Sequence, residues 1–491
     1  MPRALFFIIP NELGERFCYY GISPILKPFL KKMIGFDKAK TDSIQHIWKA
    51  FTYFTPLGGA AISDSYLDKY KTIVILSVVY LAGLLMLTIT SRPGLVPATE
   101  GGFIPSGAPL AALFLISVGT GGIKPCVSSH GGDQFLSFQK QNLNKFYNYF
   151  YMAINVGSIV SGFIQPKIAE KSCFGLEGGK DCYSWAFAVC AIAFAIALGV
   201  FAFGKFCYRV VPPAGVFFPA ILARVAFKYT LNLFRNGFSH ERARIATSET
   251  ESDAVIIELF DLLKVLFVIS PSIIFWLGFD QNGTSWQDTS DQMDHSNWLN
   301  SETTNAVINP IWIIILAPIF ANFLYPAIEK RVKFGLLRRM VVGQFFAGIS
   351  FIIMAVIQQK IDDNCVDETW KEAGKDVTMC MDRGSHTAMF IVPYFFITVG
   401  EVLVSISGLN FTYTEVGKRS KSSCAALWLL GTGIGNLVAA ALFETPLGSS
   451  TGKGDRPKFF YAVAGIIFAA MFVQAFFNRF YTYKADRKAR A

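Results

Sequence analysis

Three charged residues share one face of the first apolar segment of this chain. Glu12, Glu15 and Arg16 stand at i, i+3 and i+4, so on a helix their side chains fall on one stripe. The run that holds them begins at Ala4 and is long enough to enter a bilayer. A charge at that depth costs about 2.5–3.5 kcal/mol or more on insertion scales and is therefore kept for a function. Two carboxylates and one guanidinium leave a negative charge over, which a further cation or a proton must neutralise. Burial and like charge both favour the neutral form of a carboxylic acid, so the chemistry on offer is reversible proton binding. Ion pairing for structure alone is the plainer alternative.

Other polar residues interrupt apolar runs. Lys124, in Gly119-Thr120-Gly121-Gly122-Ile123-Lys124-Pro125, is the natural cationic partner for the acidic pair. Glu401 is an isolated acid in a later run. His46 and Tyr53, seven residues apart, share a face two turns apart, and Asp280 ends a further run. His46 would also suit an interfacial position, Asp280 a membrane edge, and Lys264 a snorkelling site.

The elements that must position these groups are transmembrane helices. The 491 residues are 52% hydrophobic and 16% charged, against about 25% charged in soluble domains, which excludes a soluble multi-domain enzyme. Apolar runs predict twelve spans near 4–30, 44–63, 72–90, 109–128, 145–166, 183–207, 259–280, 306–326, 338–358, 388–413, 422–443 and 458–480. The first acts as an uncleaved signal anchor, since no cleavage pattern precedes it. The expected class is an all-α polytopic membrane protein of two six-helix bundles, 1–207 and 256–491, joined by a linker over 208–255. Within that linker Pro212-Pro213 precedes mixed Phe, Leu, Arg and Lys, the composition of amphipathic helices at a membrane surface.

The net charge of +10 is distributed by side. Basic residues gather in 205–245, 330–339 and the tail after Lys484, while 280–302 and 359–387 are acidic. The positive-inside pattern makes the basic side and both termini cytoplasmic and excludes nucleic acid as the reason for the charge. Cys173 with Cys182, and Cys365 with Cys380, fall in outward connections where disulfides persist, although free thiols would also fit. Asn282-Gly283-Thr284 is an outward glycosylation sequon close to the membrane.

Gly58 to Asp64, followed by Lys69 and Lys71, resembles the short loop motif of the major facilitator superfamily, whose substrate site lies between two six-helix halves. The run Glu-x-x-Glu-Arg-Phe-x-Tyr-Tyr-Gly at 12–21 resembles the first-helix signature of the proton-coupled oligopeptide transporter family. Gly119 to Pro125, Gly131 to Phe135, Phe150 to Ser158, Phe275 to Gln281 and Gly400 to Leu409 extend that likeness along the chain. The resemblance implies symport of di- and tripeptides with protons, with no cofactor beyond the coupling proton. It implies that Glu12, Glu15, Arg16, His46, Lys124 and Asp280 handle the proton. Glu401 would receive the peptide amino terminus with Asn155 and Tyr394 nearby, and Lys124 its carboxylate. Tyr19, Tyr20, Tyr53, Tyr151, Trp276 and Trp428 would line side-chain pockets. His46 matches a second-helix histidine of the animal-type branch; the expected location is the plasma membrane, with a lysosomal or vacuolar membrane as the alternative, and a monomer is expected to suffice.

Three departures stand against this likeness. Ser23 occupies the position of a family arginine directed at the peptide carboxylate, with Lys27, one turn on, as a substitute or an interfacial residue. Lys264 matches a basic residue that in animal members faces an acid in span eight, but Ala321 stands there. The 359–387 connection is short where animal carriers have a large insertion. A carrier of histidine, nitrate or another small solute is the alternative within the fold. No metalloprotease helix, Cys-x-x-Cys pair or nucleotide-binding loop points to an enzyme, and no metal site is expected.

Overall fold

The computed structural model of the chain describes residues 2–92, 104–136, 140–171, 182–213, 218–295, 300–372, 375–415, 421–449 and 454–483. Its apolar runs are helices, the form in which a segment in hydrocarbon satisfies its own backbone groups. Among the described residues, eight helices are long and apolar enough to cross a bilayer. These are spans three (Lys69–Thr90), four (Gly107–Asp133), six (Tyr183–Cys207), eight (Ser301–Glu329), nine (Leu336–Asn364), ten (Thr387–Thr412), eleven (Ala426–Phe443) and twelve (Asp455–Phe480). Span seven is a broken pair, Asp253–Ile269 and Ser272–Asp291, bent by 50°. The bend falls at Ser270-Pro271, where proline removes a backbone donor. Spans one (Leu5–Lys32), two (Lys38–Ser65) and five (Lys140–Ala169) complete the twelve. They carry the polar residues that function requires, which lowers their apolarity.

Buried apolar side chains form one large core from Ala4 to Phe201 and another from Leu222 to Ile467. Between them, Phe218–Arg235 and His240–Ser248 are the linker helices. Leu222 and Val225 of the first are buried in the second core, so one face of that helix is committed to the carboxyl-terminal half. At the linker's end Glu251 accepts from Lys228 (2.6 Å) and Arg224 (3.1 Å), and these hydrogen bonds hold its carboxyl below the usual range.

The membrane part is all helical, and a small sheet lies at the opposite face from the linker. Strands β1 (Met293–Asp294), β2 (Val366–Glu372) and β3 (Lys375–His386) lie in the order β1-β3-β2. β2 and β3 are antiparallel with Val366 opposite Met381, and Cys365 is disulfide-bonded to Cys380 at the base of this hairpin. Cys182 is also disulfide-bonded; its expected partner Cys173 lies outside the described residues. The two ends of the molecule are called below the linker face and the hairpin face.

Glycine sets the distance between spans two and four. A Cβ on Gly59 would sit 2.2 Å from the carbonyl oxygen of Gly122 and 2.6 Å from its Cα, so the two backbones touch. Gly59→Ala is expected to cost about 1–3 kcal/mol by overpacking and to lower the melting temperature in detergent. Gly58→Ala, whose Cβ would meet nothing within 4 Å, serves as the control that leaves melting unchanged.

Candidate functional site

Span one turns Glu12, Glu15 and Arg16 toward the protein interior, where they are 5%, 1% and 6% exposed. Arg16 takes both carboxylates: its Nε lies 3.2 Å from Glu12 Oε1, and its terminal nitrogen pairs closely with Glu15. Thr120 of span four donates its hydroxyl to the other oxygen of Glu15. Lys124, expected to pair with these acids, instead lies over the rings of Tyr53 (4.2 Å) and Tyr19 (4.9 Å). Among the described residues it has no carboxylate within 4 Å. The guanidinium reaches two acids of its own helix at once, which leaves the lysine to the tyrosine faces. Tyr19 is itself stacked on Trp48 at 5.2 Å and edge-on to Tyr20 at 5.3 Å.

Glu401 faces this cluster from the other half. Asn309 of span eight donates to its carboxylate at 2.8 Å and to Thr398 at 3.0 Å. Tyr20, Tyr53 and Tyr151 lie within electrostatic range of Glu401. Immediately after Glu401 the helix widens into a π-helical stretch, Val402–Ile406. Such stretches recur at functional sites because they offset the helix face and free backbone groups. Trp276 of span seven and Trp428 of span eleven are edge-on, 6.3 Å apart. Asn155 donates to Tyr151 of its own helix at 2.9 Å. Tyr394 is placed elsewhere than expected. It is fully buried, donates to Asn305 at 2.8 Å and lies edge-on to Trp286, within the core beneath the hairpin face.

Toward the hairpin face the two halves are locked by polar contacts that cross between them. His46 Nδ1 lies 2.8 Å from Asn436 Oδ1, and its Nε2 lies 3.2 Å from Thr284 Oγ1. Asn436 donates to Asp280 at 2.7 Å, and Lys49 pairs with the other oxygen of Asp280 at 3.0 Å. Lys27 is 3% exposed and sits 2.7 Å from both Asp42 and Asp288, while donating to the Thr284 carbonyl at 2.8 Å. It is therefore neither interfacial nor a substitute for the missing arginine; it joins spans one and two to span seven. Gln287 adds a bond to the Pro24 carbonyl, and Ser43 one to Glu444. Thr284 of the sequon is buried beneath His46, and Asn282 itself is half-buried.

Several of these residues were missed by the sequence reading. Asn309, Asn436 and Lys49 are polar residues inside runs assigned to spans, which was their available signal. Asp42 and Asp288 gave none beyond their charge, because Asp42 lies just before predicted span two and Asp288 within the acidic connection 280–302.

Twelve helices in two bundles, with polar groups from both converging between them, define a polytopic membrane protein of the major facilitator fold. A family model described as POT family matches residues 70–452, and the chain belongs to that family. It is similar to the human protein named solute carrier family 15 member 1, at 32% identity over 439 residues covering 86% of this chain and 61% of the relative. The rat protein named solute carrier family 15 member 2 is 35% identical over 369 residues, covering 74% of this chain and 49% of the relative. The chain thus spans about half to three-fifths of the length of the curated relatives it matches. An auto inhibited POT family peptide transporter of known structure superposes over 98% of both chains with a TM-score of 0.79 at 26% identity. The POT family transporter PepTSo does so with a TM-score of 0.79 at 27% identity.

Lys27→Ala leaves the buried Asp42 without its ion-pair partner and Asp288 with only Lys38, at 3.6 Å; breaking a buried pair this way costs about 3–5 kcal/mol. A cysteine introduced at Tyr53, beyond this junction, is expected to react faster with an impermeant maleimide applied from the hairpin face when Lys27 is alanine. Equal rates would show that Lys27 does not hold the junction closed.

Proposed function

We propose that this chain is a proton-coupled symporter of di- and tripeptides that works by alternating access between its two halves. The observation that carries the reading is the opposition of Lys124 in one half, free of any carboxylate partner among the described residues, to Glu401 in the other. A short peptide has one fixed charge at each end and a variable middle. Lys124 suits its carboxylate and Glu401 its ammonium group, while Tyr20, Tyr53, Tyr151, Trp276 and Trp428 suit many side chains. Relatives named as peptide transporters support the same substrate class.

Protons enter through the span-one trio. With Glu12 or Glu15 protonated, Arg16 satisfies the remaining charge and Lys124 stays available to the peptide. Once the peptide has left, a deprotonated glutamate draws Lys124 back, and the proton has been released on the far side. His46 and Asp280 tie this cycle to the junction, since both sit in the chain of contacts that holds the halves together. The inter-half ion pairs and side-chain bonds lie toward the hairpin face, which fits a carrier closed on that side and opening toward the linker face. The basic linker makes its own face cytoplasmic, in the plasma membrane or a lysosomal or vacuolar membrane, and a single copy contains both halves of the site.

Ser23, in place of the family arginine, makes substrate choice the sharpest test. In liposomes with an inward proton gradient, labelled di- and tripeptides are expected to accumulate, and excess histidine or nitrate to leave that uptake intact. Glu401→Ala is expected to lower peptide affinity by about tenfold or more, from loss of a charge-assisted bond. Accumulation of histidine or nitrate with no peptide uptake would refute the assignment.

A further inference from the structure

We infer that the linker face carries a phospholipid site, built where the linker meets spans seven and twelve, with Lys264 as its anchor. Lys264 lies in the first helix of span seven and is exposed on the outer surface of the carboxyl-terminal half. Among the described residues neither it nor Arg244 has a carboxylate within 4 Å. Ala321 is exposed and cannot provide one. The transport reading gives Lys264 no task.

Two cavities meet at this side chain. A cavity of about 530 Å³ with charged side chains in its wall opens between the linker helices and span seven, lined by Tyr229, His240, Glu241, Arg244, Asp261 and Lys264. The Tyr229 hydroxyl lies 3.0 Å from His240 Nδ1, and Phe260 packs edge-on to the Tyr229 ring at 5.0 Å, so that wall is held in place. An apolar groove of about 260 Å³ runs between spans seven and twelve, lined by Phe267, Val268, Phe477 and Phe480, and Lys264 again stands at its edge.

The pairing of a charge-bearing cavity with a phenylalanine-lined groove selects the ligand class. Lys264 and Arg244 suit a phosphate, and Glu241 and Asp261 on the same cavity suit an ammonium group. The groove suits an acyl chain, which a soluble anion or peptide would leave empty. Lys264 can lay its methylenes along Phe267 and keep its ammonium group at headgroup depth. Basic pockets beside transmembrane helices at this level bind lipid headgroups. The ligand is thus an aminophospholipid, with phosphate on Lys264 and Arg244, amine on Asp261 and Glu241, and one chain between Phe267 and Phe480.

The test uses the full chain, purified and delipidated, then incubated with phosphatidylserine, phosphatidylethanolamine or phosphatidylcholine of identical chains. Bound lipid is counted by native mass spectrometry. The two aminophospholipids are expected to be retained about tenfold better than phosphatidylcholine, the difference one charge-assisted hydrogen bond makes. Lys264→Ala is expected to weaken retention of all three lipids and Lys264→Arg to keep it, Asp261→Asn combined with Glu241→Gln to abolish the preference, and Phe480→Ala to weaken retention of all three. Glycerophosphoserine, the headgroup without chains, is expected not to be retained. Equal retention of the three lipids by the unsubstituted chain would overturn the proposal, as would a monodisperse Lys264→Ala protein that binds like the parent. Retention of glycerophosphoserine at the level of the intact lipid would overturn the role of the groove.

Discussion

Arg16 between two glutamates, deep in the first helix, is the interaction on which the rest of the site depends. A guanidinium cannot shed its proton, so the charge of this triad changes only when a carboxylate gains one. Each state must be matched by the surroundings, because charge in a low-dielectric interior is costly when uncompensated. Thr120 contributes a hydroxyl to Glu15, and Lys124 waits over Tyr19 and Tyr53 without committing to either acid. Moving Lys124 onto a glutamate, or holding it away, is the smallest rearrangement that would follow a proton. The tyrosine faces make the waiting state tolerable, since an aromatic ring attracts a cation without neutralising it.

The hairpin-side junction follows the same physics with different partners. Lys27 is compensated only while Asp42 of its own half and Asp288 of the other are both within reach. Asp280 likewise needs Lys49 and Asn436 from two different spans. Separating the halves strands charges that were paired across them, unless water enters to replace the partner. The junction is therefore two-state in character: fully paired and dry, or open and wet. Its elements reach the binding region directly, because Asp280 follows the segment that holds Trp276, and His46 lies two turns from Tyr53.

What the sequence made legible, and what it did not, divides along these lines. The trio at 12–16 and the isolated Glu401 stood out because charge inside an apolar run is rare and helical spacing fixes which charges share a face. The spans followed from apolar runs, although the polar residues of spans one, two and five hold them below the apolarity of the other nine. Lys27 was misread because a lysine near a helix end has an easy interfacial explanation, and its two aspartates come from remote segments. Tyr394 was placed near Glu401 by the family resemblance, and both lie on span ten. Seven residues bring it two turns along, where Asn305 and Trp286 claim it. Asn309, which holds Glu401, is visible only as a polar residue before Pro310; its partner is set by how spans eight and ten pack. The β2–β3 hairpin was absorbed into a connection, since helix length and hydropathy carry no information outside the bilayer.

The central claim is that span-one carboxylates turn a peptide carrier into a proton-driven one. Its most direct measurement compares Glu15→Gln with the unsubstituted chain in the same liposomes, once with an imposed proton gradient and once with peptide preloaded inside and no gradient. The account predicts that the variant still exchanges labelled for unlabelled peptide but no longer accumulates it against a gradient. Accumulation by Glu15→Gln at the level of the unsubstituted chain would contradict it.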